Sequence, residues 1–406
     1  SAYRQYHSTE TALLYIQNDL LISLDQKKCI AMVMIDLSAA FDTVNHSILL
    51  DRLSERYGVK GSAHAWLSSY LFQRKQFVTI KGERSEVRIK DCDVPQGSVL
   101  GPNLYVDYAA APLGDILRKH GLLFHIYADD TTIYLPFTPG DEESAFKRLE
   151  DCLEEIRKWM ACNWLQLNES KTEFIIFGSK QNLSSLKQTS IKIGPCEITS
   201  SKSVKSIGAY LDSNMKLEKQ VTSVCRAAWY HLYQISKIRR YLTTDQTKSV
   251  IHAYVTSCID QNNCLLIGLP KRSLKSIQYV QNASAKLIVG AKKRDHVTSI
   301  LVNLHWLPVE QRILFKVLLL TFKAIHDKGP SYLKDLLLPY TPTRTLRSAS
   351  ANMLVCPQSH YVETRKRAFS LRAPMEWNQL PVDLKTCGTV NAFKAKLKTH
   401  LFKMAY

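Results

Sequence analysis

The sequence predicts an α+β domain built on an antiparallel sheet, followed by an all-helical and strongly basic region. Three observations predict it. Apolar runs of strand length alternate with helical periodicity through the first half of the chain. From Lys216 onward only helical patterns remain. Charge divides in the same way: residues 1–190 carry 21 Lys/Arg against 24 Asp/Glu, net −3, and residues 191–406 carry 33 against 12, net +21.

Taken in order, Ala12–Ile22 reads as an amphipathic helix. Cys29–Ile35 is a continuous apolar run, the pattern of a buried strand, and it ends on Asp36. Asn45 is placed to cap a helix whose apolar face is Ile48, Leu49, Leu50 and Leu53. Phe77–Ile80 and Val87–Ile89 around Gly82 predict a hairpin. Leu122–Tyr127 and Thr131–Leu135 predict a second one, with Ala128, Asp129 and Asp130 at its tip. Asp141–Leu167 reads as one helix, and Phe174–Phe177 and Ile207–Leu211 as short strands, with Gly178–Ser190 a flexible connector. Helices are then expected over Lys216–Arg240, Thr244–Leu266, Ser273–Val289 and Val309–His326, and Pro339–Arg347 reads as a linker.

Composition narrows the function. A formal charge of +18 on 406 residues points to a polyanionic partner, bound by phosphate neutralisation and counterion release. The longest apolar stretches, such as Val317–Phe322, fall well short of the about 20 residues that cross a bilayer, so no membrane partner is expected. The ten cysteines form no C-x-x-C and no finger spacing, which predicts reduced, mostly buried thiols of an intracellular protein without zinc. No signal peptide is legible at Ser1, and the chain reads as a piece of a longer one.

Chemistry concentrates in the acidic half. Strand ends hold side chains rigidly at the rim of a sheet, so two adjacent strands would bring Asp36 to the Asp129–Asp130 pair. Clustered carboxylates repel one another unless cations lie between them, and hard Mg²⁺ prefers oxygen ligands. Two such ions, about 4 Å apart, activate an attacking hydroxyl and stabilise a leaving pyrophosphate. An isolated Asp-Asp turn would mean nothing more than solvated charge.

The flanking residues decide between these readings. Ala31–Asp42 (AMVMIDLSAAFD), Val94–Pro102 (VPQGSVLGP) and Tyr127–Asp130 (YADD) resemble, in order, motifs A, B and C of reverse transcriptases, most closely those of non-LTR (LINE-type, jockey-like) retrotransposons. Ser1–Leu13 resembles the fingers segment ahead of motif A, Asn168–Phe177 motif D and Ile207–Asp212 the primer-grip motif E. His305–Pro308 (HWLP) and Trp377–Pro381 (WNQLP) resemble the region after the thumb in these elements.

The resemblance implies a right-hand polymerase: partial fingers at 1–28, palm at 29–213, a helical basic thumb at 214–294 and a C-terminal region at 295–406. It implies RNA-directed DNA polymerase activity with two Mg²⁺ ions, Mn²⁺ being a substitute. Asp36, the Leu37 carbonyl, Asp129 and, less firmly, Asp130 would hold the metals. Phe41 matches the steric gate against a ribose 2′-OH. Gln96 and Gly97 would lie against the incoming nucleotide, Gly97 permitting close backbone approach. Lys171 matches the lysine that protonates pyrophosphate, and Arg4 a fingers arginine facing template or triphosphate. Lys271, Arg272, Lys275, Lys286, Lys292, Lys293 and Arg294 would follow the phosphates of an RNA–DNA hybrid, on a helix turning Leu274, Ile277, Val280 and Leu287 inward. Partners would be an RNA template, a DNA primer and deoxynucleoside triphosphates, acting in the nucleus after a cytoplasmic ribonucleoprotein stage. Arg365, Lys366 and Arg367 form one more basic segment suited to nucleic acid.

Three departures from the pattern stand out. Asp93 replaces the usual Gly before PQG, Asp107 sits in a helix that is mostly apolar, and Cys258 and Gln261 replace Arg and Tyr. The alternative to a polymerase is an inactive nucleic-acid-binding remnant of the same fold. A nucleotide cyclase is more remote, because the basic helical half has no place in one.

Overall fold

The computed structural model describes residues 1–38, 41–95, 97–292, 294–341, 352–357 and 365–406, without the side chains of Ser38 and Arg365. It divides into two compact units. The first comprises Ser1–Gln5, Cys29–Ile176 and Lys180–Lys202, and the second Tyr6–Lys28, Phe177–Ser179 and Ser203–Tyr406.

The first unit is built on a four-stranded sheet in the order Glu173–Phe177, Cys29–Ile35, Asp130–Phe137, Leu123–Tyr127. Cys29–Ile35 lies in the interior of the sheet and is buried almost throughout, which is why its sequence is apolar without alternation. It pairs antiparallel with Asp130–Phe137, from Cys29 opposite Phe137 to Ile35 opposite Thr131. The Glu142–Cys162 helix adds Phe146, Leu149, Leu153 and Ile156 to the core. Phe146 meets Phe137 and Phe174 edge-on at 5.5 and 5.7 Å between centroids. Burying each such ring contributes roughly 1.5–3 kcal/mol, enough to fix which face of the helix turns inward.

This helix is shorter than the periodicity predicts. Trp164 takes φ +58, the chain reverses, and Gln166–Leu167 pairs instead with Leu37–Ser38. The expected cap at Asn45 is present: its side chain accepts from the Ile48 N–H, and the helix runs His46–Tyr57. Inside the expected connector the chain forms a short helix, Lys180–Ser185.

The expected hairpin turns at Lys81–Gly82, with positive φ at both residues, as a two-residue hairpin turn requires. Arg74–Gln76 pairs with Arg88–Lys90 at its base. Its apolar residues stay in solvent, Ile80 at 68% exposure. What anchors it is Asp93, whose buried carboxylate accepts from Arg74 Nη1 at 2.9 Å and Lys90 Nζ at 2.7 Å. The Asp93 carbonyl accepts from His46 Nε2 at 2.8 Å. Asp93 does this at φ +137, a conformation natural to the glycine it replaces. Asp93→Ala loses the ion pairs and keeps the strain, and should cost about 2–3 kcal/mol. Asp93→Gly loses the same pairs but relaxes the backbone, and should be the milder by about 1 kcal/mol. Urea melts give the ordering, and a glycine variant less stable than the alanine variant would refute it.

Among the described residues the second unit is largely helical, with a hairpin of Ser203–Ser206 and Ala209–Asp212 and an antiparallel bridge between Pro339 and Leu354. Ile207 and Gly208 form its turn rather than part of a strand. Glu218–Ile238 packs along Lys271–Val289, which buries Leu274, Ile277, Val280 and Ile288, with Leu287 only half-buried. The expected Thr244–Leu266 helix ends at Asp260, after a widened turn at His252–Thr256, because Asn262 takes φ +54. Val309–Ile325 contacts Lys271–Val289, Phe369–Asn378 and Val390–Ala405. Its Phe322 stacks on Phe393 at 4.2 Å between centroids. Most of the expected linker, residues 342–347, lies outside the described residues.

Two expectations fail here. Arg367 is buried, donating to the carbonyls of Met215 at 2.7 Å and Ile267 at 3.3 Å. Burial pushes its pKa down to about 10, against the pull of Asp212. It is therefore a packing residue of this unit and is closed to nucleic acid. The cysteines are all free thiols, but only Cys29, Cys152, Cys264 and Cys387 are buried; Cys162 at a helix end, Cys196 at the start of a strand and Cys356 are exposed.

Candidate active site and nucleic-acid interface

The sheet brings the three aspartates together. Ile35 faces Thr131, so continuing the register by one residue sets Asp36 opposite Asp130. Tyr127 pairs with Asp130, which makes Asp130 the first strand residue and leaves Ala128–Asp129 as a two-residue turn. Ala128 turns at φ +55, where glycine is the usual choice, a strain of the kind that functional sites retain. Asp129 and Asp130 are both exposed.

The electrostatics record the crowding. The Asp130 carboxyl is held above its ordinary range, first by burial and then by Asp129 and Asp36. Tyr105 is buried with no partner for its hydroxyl, and its pKa is raised by burial, Asp129 and Tyr3. Among the described residues, Asp36 Oδ2 is buried and accepts no hydrogen bond, and Lys171 Nζ stands 3.6 Å away.

A carboxyl held above its ordinary range binds its proton more tightly folded than unfolded. Its charge therefore costs stability above that range, and the cost disappears as pH falls through ordinary carboxylate values. Asp130→Asn should raise Tm at pH 7 by about 1–2 °C and lose that advantage near pH 3. Differential scanning calorimetry at both values checks this, and a lower Tm at pH 7 would contradict it.

Neighbouring segments hold the pieces in place. Asn168 N–H donates to the Asp36 carbonyl at 2.9 Å, and Leu37, half-buried, pairs with Leu167. The backbone of Lys171 donates to Asn168, so the same turn that fixes Asp36 carries the lysine. Phe41 stacks on Tyr105 at 4.7 Å and 23°, and its carbonyl accepts from the Val94 N–H at 2.9 Å. Gly97 takes φ +81, a conformation that favours glycine, and a Cβ there would meet no protein atom within 4 Å, which leaves the space beside it open. A further glycine, missed in the sequence, packs tightly against its own loop: at Gly101 a Cβ would stand 2.9 Å from the Pro95 carbonyl. Gln96 lies outside the described residues. Arg4 is exposed and makes no ion pair among the described residues; its charge acts on Asp107.

The donor set suits a hard divalent cation: acceptor-only oxygens, one of them buried without a donor, at a rim open to solvent. Among the described residues no three His, Cys, Asp or Glu side chains enclose an ion by themselves, so ligands from outside the protein would have to complete a shell.

In the second unit Lys271, Arg272, Lys275, Lys292 and Arg294 are exposed, Lys271 standing 3.7 Å from Glu310. Lys286 is half-buried and already partnered, and Lys293 lies outside the described residues. A second face went unread in the sequence. On Glu218–Ile238, the exposed residues Arg226, Tyr230, Tyr233 and Lys237 recur at helical spacing, Lys237 over the Tyr233 ring at 4.4 Å. The i, i+4, i+7, i+11 pattern was the available signal. No helix among the described residues is long and apolar enough to cross a membrane.

Residues 1–211 match the family described as reverse transcriptase (RNA-dependent DNA polymerase). The chain is 25% identical over 323 residues to the probable RNA-directed DNA polymerase from transposon BS of Drosophila melanogaster, covering 77% of this chain and 34% of that protein. It is 26% identical over 296 residues to the probable RNA-directed DNA polymerase from transposon X-element of Drosophila melanogaster, covering 71% and 32%. It is 29% identical over 237 residues to the RNA-directed DNA polymerase from mobile element jockey of Drosophila funebris, covering 55% and 24%. The chain thus spans about a third or less of the length of these relatives. Among solved structures, a telomerase from Candida Tropicalis aligns over 76% of this chain and 54% of its own, at 12% identity and a TM-score of 0.37.

Proposed function

The chain belongs to the reverse transcriptase (RNA-dependent DNA polymerase) family, and on that premise we propose that it extends a primer 3′-hydroxyl with deoxynucleotides on an RNA template. The observation that carries this reading is the convergence of Asp36, Asp129 and Asp130 at one rim of the sheet, with a buried, unpaired oxygen on Asp36. Asp36 and Asp129 are the principal metal ligands, Asp130 a weaker one, and the Leu37 carbonyl a further donor. Mg²⁺, as two ions replaceable by Mn²⁺, would supply activation of the hydroxyl and charge neutralisation at the leaving pyrophosphate.

The chain's own groups do the rest. Lys171 is 69% exposed and stands within reach of the same carboxylate, suited to hand a proton to the leaving group. Phe41, backed by Tyr105, is the wall against a 2′-hydroxyl. Gln96 and Gly97 line the nucleotide, and Arg4 reaches template or triphosphate. Lys271, Arg272, Lys275, Lys286, Lys292, Lys293 and Arg294 hold the phosphates of the hybrid, with palm and thumb divided as the sequence suggests. The natural primer is nicked chromosomal DNA, which places the reaction in the nucleus.

Extension of oligo(dT) annealed to poly(rA), with dTTP and Mg²⁺, tests the proposal. Product that lengthens only when the RNA strand is present supports it. Template-independent addition would overturn it.

A further inference from the structure

The HWLP segment has no part in the site described above, yet it lines a cavity of about 470 Å³ in the second unit. That is within the range of small-ligand sites. Four cations line it from three helices: Lys248, Arg312, Lys316 and Lys398. Two of them are spoken for. Arg312 forks onto both oxygens of Asp260, and Lys316 meets Glu10 at 3.0 Å. Lys248 and Lys398 form no ion pair among the described residues, so the cavity keeps uncompensated positive charge.

The walls are not only charged. Trp306 lies against His252 at 5.3 Å between centroids, and Phe315 adds a third ring. Trp306 is 4% exposed, and its indole N–H is buried without an acceptor. A buried donor left unpaired costs about 1–3 kcal/mol, which a ligand acceptor would recover. The His252 imidazole reports the field: its pKa is lowered by burial, then by Arg312 and Lys248, with Lys398 contributing and only Asp260 opposing.

We propose that this cavity binds a nucleotide, its phosphate held by Lys248 and Lys398 and its ring system set against His252, Trp306 and Phe315. The nucleotide is either free or one unit of a polynucleotide, since both present the same phosphate and the same flat ring. Its lining residues belong to the second unit and the carboxylate cluster to the first, and its case does not depend on catalysis there.

Isothermal titration with AMP, with a uridine hexaribonucleotide and with inorganic sulfate tests the proposal. Saturable binding of AMP or the hexamer is expected, at least tenfold weaker in Lys248→Ala/Lys398→Ala and unchanged within twofold in the charge-matched Lys394→Ala/Lys403→Ala. Both lysine pairs are at or near the surface, and an unaltered Tm would verify folding. Trp306→Phe, which keeps a ring and removes the N–H, should weaken binding at least threefold. AMP binding identifies a free nucleotide as sufficient, and hexamer binding without AMP binding identifies a polynucleotide unit. Sulfate binding as tight as the nucleotides, equal losses in both lysine pairs, or no saturable binding would each overturn it.

Discussion

Asp36→Asn is expected to lower primer extension at least about a thousandfold, equivalent to about 4 kcal/mol of barrier, with hybrid affinity changed less than threefold. The substitution is nearly isosteric, so the interior strand Cys29–Ile35 and its register with Asp130–Phe137 should survive it. What changes is the charge on an oxygen that is buried and lacks any hydrogen-bond donor. An unpaired buried carboxylate oxygen is costly unless a cation meets it, and among the described residues the one cation within 4 Å of it is Lys171 at 3.6 Å. An amide has one oxygen fewer and no charge to bind a metal. The affinity clause matters equally, because the cations proposed to hold the hybrid belong to the second unit, on Lys271–Val289 and the residues after it, and are different residues from the cluster. Single-turnover extension and salt-dependent filter binding separate the two effects. A variant that loses affinity and rate together would mean that Asp36 supports the fold instead.

Phe41→Val is expected to reduce the preference for dTTP over UTP roughly 100-fold, measured as the ratio of kcat/KM values on one template. Bulk gives at most about 1–3 kcal/mol of discrimination per group removed, and this is near the upper end. The structure explains why the ring would be effective as a wall. It stacks on Tyr105, itself 1% exposed, and its backbone is tied to Val94. A ring stacked on a buried tyrosine, on a backbone that is itself tied, resists swinging aside for a 2′-hydroxyl. Loss of the stack also costs about 0.5–1.5 kcal/mol of stability, so Tm should be recorded in parallel. An unchanged dTTP:UTP ratio would show that the ring is packing alone.

Strand patterns were readable where burial dictates composition. Cys29–Ile35 is apolar at every position because both faces are covered, and its limits agree with the sequence reading. The Asp129–Asp130 hairpin was legible too, except that Asp130 joins the strand. Helix ends were less legible, since the stop at Trp164 depends on a bulky residue in a left-handed conformation that carries no sequence signal, and the one at Asn262 only on the weak preference of asparagine for that conformation. Arg367 misled for a related reason: three consecutive basic residues look solvated until packing places one of them against two carbonyls. The HWLP cavity could not be read at all, because its cations come from helices 150 residues apart in sequence, Lys248 to Lys398. Within the candidate site, Asp36, Asp129, Asp130, Lys171, Phe41 and Gly97 were all named from sequence, while the tight internal packing at Gly101 carried no signal there.

The most direct test of the central claim, that this carboxylate cluster is a metal-dependent polymerase centre, is single-turnover dTTP incorporation on poly(rA)/oligo(dT) across a Mg²⁺ titration. It compares the wild-type chain with Asp129→Ala. The account predicts saturable, Mg²⁺-dependent extension by the wild type and none measurable by the variant at equal Tm and equal hybrid affinity. Equal extension by both proteins, or none by a folded wild type that still binds the hybrid, would contradict it.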